Sequence, residues 1–135
     1  MYKIITPNCE NHKFTFILLH SMCTNENYFS EFLNYIKKKD SYKFIFNHIK
    51  FIFPVSPKID IDYPNNKLFD QNAWYNYYTC YDGINKIDNI DHNQFQEQSE
   101  RIVNIVNQEA IILNSYKNIY LGGVSQGGTL LFNIL

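Results

Sequence analysis

The sequence predicts an α/β fold, a mostly parallel sheet with flanking helices. Three observations predict it. Apolar runs of strand length alternate along the chain with stretches of helical spacing, and strands that alternate with helices pair in parallel. The run Phe14-Thr15-Phe16-Ile17-Leu18-Leu19-His20 is rich in β-formers on both faces, the pattern of a central strand covered on both sides. Near the far end, Asn118-Ile119-Tyr120-Leu121 leads into Gly122-Gly123-Val124-Ser125-Gln126-Gly127-Gly128 and then Thr129-Leu130. This reads as a short strand, a tight glycine-rich turn and the start of a helix.

Residues 2–6 make a short first strand, ended by Pro7 and Asn8. Residues 14–20 are the second strand, and 21–25 a loop. Over 26–39 the pairs Tyr28/Phe29 and Phe32/Leu33, with Ile36, fall on one helical face, and Lys37, Lys38 and Lys39 end the helix where cations suit its dipole. Residues 42–53 alternate like a strand, with 49–53 the stronger half, and stop at Pro54. Residues 55–81 read as one long irregular segment, with prolines at 57 and 64 and the aromatic cluster Trp74-Tyr75-Asn76-Tyr77-Tyr78; loops of this length in a compact domain tend to be functional. Residues 82–93 are polar and turn-like. The best helix is 91–114: Asp91 and Gln94 form a cap pair, and Phe95, Ser99, Ile102, Val106, Ala110 and Leu113 recur at helical spacing. There is no internal repeat and no linker, so 1–135 is expected to be one incomplete domain.

Composition narrows the function classes. Of 135 residues, 45% are hydrophobic and 19% charged, a globular balance. The net charge of −1 leaves no basic excess to hold nucleic-acid phosphates. Cys9, Cys23 and Cys80 are an odd count at wide spacing, which fits neither a disulfide framework nor a zinc site. Asp60, Asp62 and Asp70 lie in a polar stretch without a metal-binding pattern, so no metal or other cofactor is expected. The N-terminus lacks the pattern of a secretory leader, and no apolar run approaches a membrane span, so a cytoplasmic location is expected. Cys9 is the candidate position for lipid attachment, although no motif specifies it.

Gly123-Val124-Ser125-Gln126-Gly127 fits the G-x-S-x-G nucleophile elbow. The serine must sit on a sharp turn so that its Oγ leaves the sheet, and side chains two residues to either side would collide with the neighbouring strand or helix. The helix that follows presents free N–H groups where an oxyanion would form. A phosphate-cradling loop is the weaker reading of these glycines, because neither G-x-G-x-x-G after a first strand nor G-K-[ST] is present.

These residues resemble the acyl-protein thioesterase and carboxylesterase (phospholipase-type) family of α/β-hydrolases. Gly122 to Gly128 resembles that family's Gly-Gly-x-Ser-Gln-Gly-Gly segment. The strand ending at His20 sits where the family has an apolar strand followed by His-Gly-x-Gly. Phe51-Ile52-Phe53-Pro54-Val55-Ser56-Pro57 resembles its aromatic-x-x-Pro-x-Ala-Pro strand end, and Ala73-Trp74-Tyr75 its small-Trp-Phe segment. The resemblance implies Ser125 as nucleophile, the backbone N–H groups of Met22 and Gln126 as oxyanion donors, and Trp74 beside the acyl or leaving-group path. It implies acyl transfer to serine and hydrolysis, on fatty-acylated proteins or small lipid and carboxylic esters, with transient contact with membrane surfaces.

Two departures stand out. The family's His-Gly-x-Gly reads His20-Ser21-Met22-Cys23 here, with both glycines replaced. In this fold the acid and base follow the serine, whereas His12, His20, His48 and His92 all precede Ser125. The expectation is therefore the front part of a hydrolase, ending after the elbow helix and inactive alone for want of the triad's Asp and His. The alternative is a non-catalytic remnant or interaction module of the same fold.

Overall fold

The computed structural model describes residues 2–5, 11–63, 66–81 and 86–134. Its main sheet contains β1 (Tyr2–Ile5), β2 (Phe14–Leu19), β3 (Ile49–Pro54) and β6 (Ile119–Gly123), in the order β1-β3-β2-β6. β2 runs parallel to both β3 and β6, and β1 closes the other side antiparallel to β3. The α/β fold with a mostly parallel sheet is thus present. Among the described residues no helix is long and apolar enough to cross a membrane.

The alternation of strand side chains divides the core. Ile17, Leu19 and Ile52 point to one face and pack with Ile102 and Ile105 of α3 (His92–Leu113) and Leu130 and Leu131 of α4 (Gln126–Phe132). Phe51 and Phe53 point the other way, against Leu33 of α1 (Asn27–Lys37) and Phe46 of α2 (Lys43–His48). β2 is fully buried only on the α3/α4 face; Phe14, Phe16 and Leu18 are half-buried. The two-sided burial expected of it is therefore complete on one face only.

Two stretches differ from the sequence reading. Residues 42–53 are not one strand, because the first half coils into α2. Helical i,i+4 partners decide this: His48 Nδ1 lies 3.1 Å from the Phe44 carbonyl oxygen, and the two rings stack 4.5 Å apart. Within the stretch read as irregular, β4 (Lys58–Tyr63) and β5 (Asn66–Asn72) form an antiparallel hairpin. The period-two signal of Lys58-Ile59-Asp60-Ile61-Asp62-Tyr63 was there, bracketed by prolines that read as breakers. Cys9, Pro7 and Asn8, the polar segment 82–85, and the last residue lie outside the described residues.

α3 starts as its sequence predicts: the Asp91 carboxylate accepts the Gln94 N–H at 2.9 Å. It ends at Asn114, whose φ of 51° is the left-handed cap. One buried residue was not foreseen. Glu109 accepts from Thr15 Oγ1 of β2 at 2.8 Å and pairs with Lys50 of β3, while His12 Nε2 lies 3.3 Å from it. This cluster ties α3 to the amino ends of β2 and β3, the end of the sheet opposite Ser125.

Removing one partner of a buried pair leaves the other charge uncompensated. Glu109→Leu is expected to lower unfolding free energy by about 3–5 kcal/mol, and Glu109→Leu with Lys50→Met by much less. Urea titrations of the two variants check this. Equal losses would show that the pair itself does not matter.

Candidate active site

The register of the parallel strands places the site. Leu18 lies opposite Gly122 and Leu19 opposite Gly123, so β2 and β6 end together. The loop after β2 and the turn after β6 therefore leave the sheet side by side at its carboxyl edge, where open α/β sheets bind their ligands. Val124 N–H extends the ladder by one bond, 3.1 Å to the Leu19 carbonyl.

Ser125 then takes φ 51°, ψ −120°, a conformation side chains disfavour, as the N-cap of α4. Its side chain does not cap the helix and is exposed. The flanking glycines are required by contact. A Cβ on Gly123 would come within 2.6 Å of the Gly127 backbone, and one on Gly127 within 2.6 Å of the carbonyl oxygens of Leu19 and His20. The helix is thus pressed against the end of β2, and this closeness leaves Ser125 outside.

The loop after β2 keeps the shape that glycine would favour. Cys23, where the family pattern has its second glycine, has φ 59° and donates its N–H to Asn72 O at 2.8 Å. Ser21 O accepts from Thr24 Oγ1 and His20 Nδ1, each at 2.8 Å. His20 is fully buried, and its Nε2 accepts the Ser56 N–H at 3.1 Å. A ring accepting at Nε2 carries its proton on Nδ1 and is neutral. Burial accordingly pushes its pKa below the ordinary 6.5. His20 is a brace for the loop.

Gln126 contributes more than its backbone. Its buried side chain accepts the Trp74 N–H at 2.8 Å and donates to Tyr75 O at 2.7 Å. The elbow is thereby fastened to the aromatic segment. Trp74, expected beside the acyl or leaving-group path, is not among the described residues that border the cavity at Ser125. It is wholly buried beneath the turn and donates Nε1–H to His20 O at 2.8 Å.

The wall over the serine comes from further along the same segment. Ser125, Met22 and Gln126 border a cavity of ≈ 170 Å³ whose other sides are Tyr77, Thr79, Cys80 and Asp88. Both residues expected to donate to an oxyanion thus border the same cavity as Ser125. The sequence pointed to the aromatic cluster but not to Asp88, which a short bridge between Tyr77 and Ile90 brings alongside. Tyr75, below them, has its pKa held far above the ordinary 10.0, first by burial and then by its hydrogen bond with Tyr77.

No described histidine serves Ser125. His12 pairs with Glu109, His20 with Ser21 and Ser56, and His48 with Phe44, while His92 is the exposed first residue of α3. On the other side of Val124 an apolar groove of ≈ 580 Å³ runs between Leu18 and Phe51 of the sheet and Phe29 and Phe32 of α1.

A family model described as phospholipase/carboxylesterase matches residues 1–134. Among solved structures, the chain is similar to Zea mays acyl-protein thioesterase 2, with 18% identity and a TM-score of 0.71, over 99% of this chain and 50% of that one. It is also similar to Arabidopsis thaliana SOBER1, with 19% identity and a TM-score of 0.67, over 90% of this chain and 53% of that one. The chain spans about half the length of these structures. No curated protein matches it.

Replacing Cys23 by glycine removes the penalty of a side chain at φ 59° and is expected to raise unfolding free energy by about 1 kcal/mol. A urea midpoint that fell would refute the strain. The lowered proton affinity of folded His20 means that the unfolded chain takes up the proton first as the pH falls through 6.5. Stability from this residue is full above that pH and is lost below it. The urea midpoint should therefore drop between about pH 7.5 and about pH 5.5, and drop less in His20→Gln. An identical drop in that variant would place the titration elsewhere.

Proposed function

The chain belongs to the phospholipase/carboxylesterase family, and from that premise we propose that it supplies the nucleophile half of a serine hydrolase for acyl thioesters or carboxylic esters. The observation that carries the reading is the strained backbone of Ser125, φ 51° and ψ −120°, at a strand-to-helix turn with the serine in the wall of a cavity. Backbone strain of this kind persists only where the surroundings enforce it, and it clusters at functional positions.

In the proposed reaction Ser125 Oγ attacks the acyl carbonyl. The oxygen of the tetrahedral intermediate lies against the N–H groups of Met22 and Gln126, at the positive end of α4. The thiol or alcohol leaves, and water releases the acid from the acyl-enzyme. The chemistry needs a base to take the serine proton. Because no described histidine lines the cavity with Ser125, the 135 residues alone are proposed to be inactive, and a longer gene product to carry the acid and base. The substrates proposed are fatty-acylated proteins or small lipid esters, met in the cytoplasm or transiently at a membrane surface. The lack of a base among the described residues also favours a second reading, a non-catalytic module of the same fold.

A fluorophosphonate probe, which labels activated serines, separates the two. A protein larger than the 135-residue chain should be labelled in lysate of the source cells, and Ser125→Ala should abolish both the labelling and the esterase turnover. Turnover that survives in Ser125→Ala would end the assignment. A lysate in which only the short chain exists, unlabelled, would favour the non-catalytic module.

A further inference from the structure

The cavity at Ser125 has a chemical character of its own. Beside Ser125 and Gln126, its described lining is Met22, Tyr77, Thr79, Cys80 and Asp88. Among the described lining residues one carries a formal charge, Asp88. This carboxylate is fixed in place. Its Oδ1 accepts from Tyr81 N–H at 2.7 Å and Thr79 Oγ1 at 3.2 Å. The strand-like contact behind it is reinforced, since Tyr78 N–H donates to Asn89 O at 2.8 Å and Asn89 N–H to Thr79 Oγ1 at 2.7 Å. Its field reaches the interior, where it helps to keep the Tyr75 hydroxyl protonated. Lys86, close by in sequence, stands 4.8 Å over the Tyr81 ring and does not line the cavity.

A half-buried aspartate in a lining that also holds a tyrosine and a methionine suits a cationic group. The carboxylate supplies charge, the ring supplies its electron-rich face, and sulfur supplies a polarisable contact. We propose that this cavity receives an alkylammonium group of the substrate, primary or quaternary, and that Asp88 is the specificity determinant that admits it and turns anionic groups away. The inference rests on Ser125 being the nucleophile only for its meaning in catalysis; the binding it asserts needs no reaction.

The test therefore reads binding. The chain has two methionines, so ¹³C-methyl labelling gives two signals, and that of Met22 reports on the cavity. Choline, its neutral isostere 3,3-dimethylbutanol and the anionic 3,3-dimethylbutanoate are titrated separately. Choline is expected to shift the Met22 signal and to bind about tenfold more tightly than the neutral isostere, with no shift from the anion. Asp88→Asn keeps the acceptor for Tyr81 and Thr79 and removes only the charge, so the preference should fall severalfold. Glu31→Gln, which removes one charge from the exposed face of α1, and Ser125→Ala should both retain it.

Equal affinity of the unaltered chain for choline and its isostere overturns the proposal without any variant. So does a preference that Asp88→Asn leaves undiminished. Absence of fluorophosphonate labelling of the longer protein would count against Ser125 as nucleophile and leave the choline preference to decide the role of Asp88 separately.

Discussion

A neutral imidazole buried at the end of β2 holds the site together. His20 receives a hydrogen bond from Ser56 on the segment leaving β3, gives one to Ser21 in its own loop, and offers its carbonyl to Trp74. The same carbonyl oxygen is the surface against which Gly127 of α4 packs. Three segments far apart in sequence therefore converge on one residue. Unpaired, each of these polar groups would cost about 1–3 kcal/mol at this depth. Paired, they fix the distance between the loop that carries Met22 and the turn that carries Ser125. A protonated ring would lose the acceptor for Ser56, so the arrangement selects the neutral form.

Strain at Ser125 and Cys23 is tolerable because of this bracing. Both residues adopt backbone angles that glycine takes freely. Each is overdetermined by its neighbours: Cys23 by its bond to Asn72 and the Ser21–Thr24 turn, Ser125 by the contact of Gly123 with Gly127 and by the Gln126 side chain. The replacement of two loop glycines shifts the burden from backbone freedom to hydrogen bonding, and the loop still reaches the cavity wall.

Much of this was legible in the sequence where a single local rule applied. The strand–turn–helix around Ser125 follows from glycine spacing, and α3 from its cap and periodicity. The hairpin of β4 and β5 was hidden because proline signals outweighed a short alternation of Ile59 and Ile61. α2 was hidden because Phe44, Ile45 and Phe46 suit a strand as well as a helix, and only the contact of Phe44 with His48 and burial against Phe51 decide. Glu109 and Asp88 could not be read at all. The first has a partner 94 residues away at Thr15, and the second is held across a loop by Thr79 and Tyr81. Trp74 was found by its position, yet its place beneath the turn depends on Gln126 and His20, which no local pattern joins.

Placement and activation of the serine are physically separate in this fold. Ser125 is set by steric contact between glycines, by α4 anchored through Leu130 and Leu131, and by amide bonds to the Trp74 segment. None of these involves a catalytic histidine. An elbow therefore keeps its shape whether or not a base stands beside it, since its geometry is a packing solution and its reactivity a matter of proton affinity. The same separation applies to the cavity, because Met22, Tyr77 and Asp88 are positioned by the β2 loop and the Tyr77–Ile90 bridge. The shape of the cavity, like that of the turn, is thus set by packing and hydrogen bonding within the described residues.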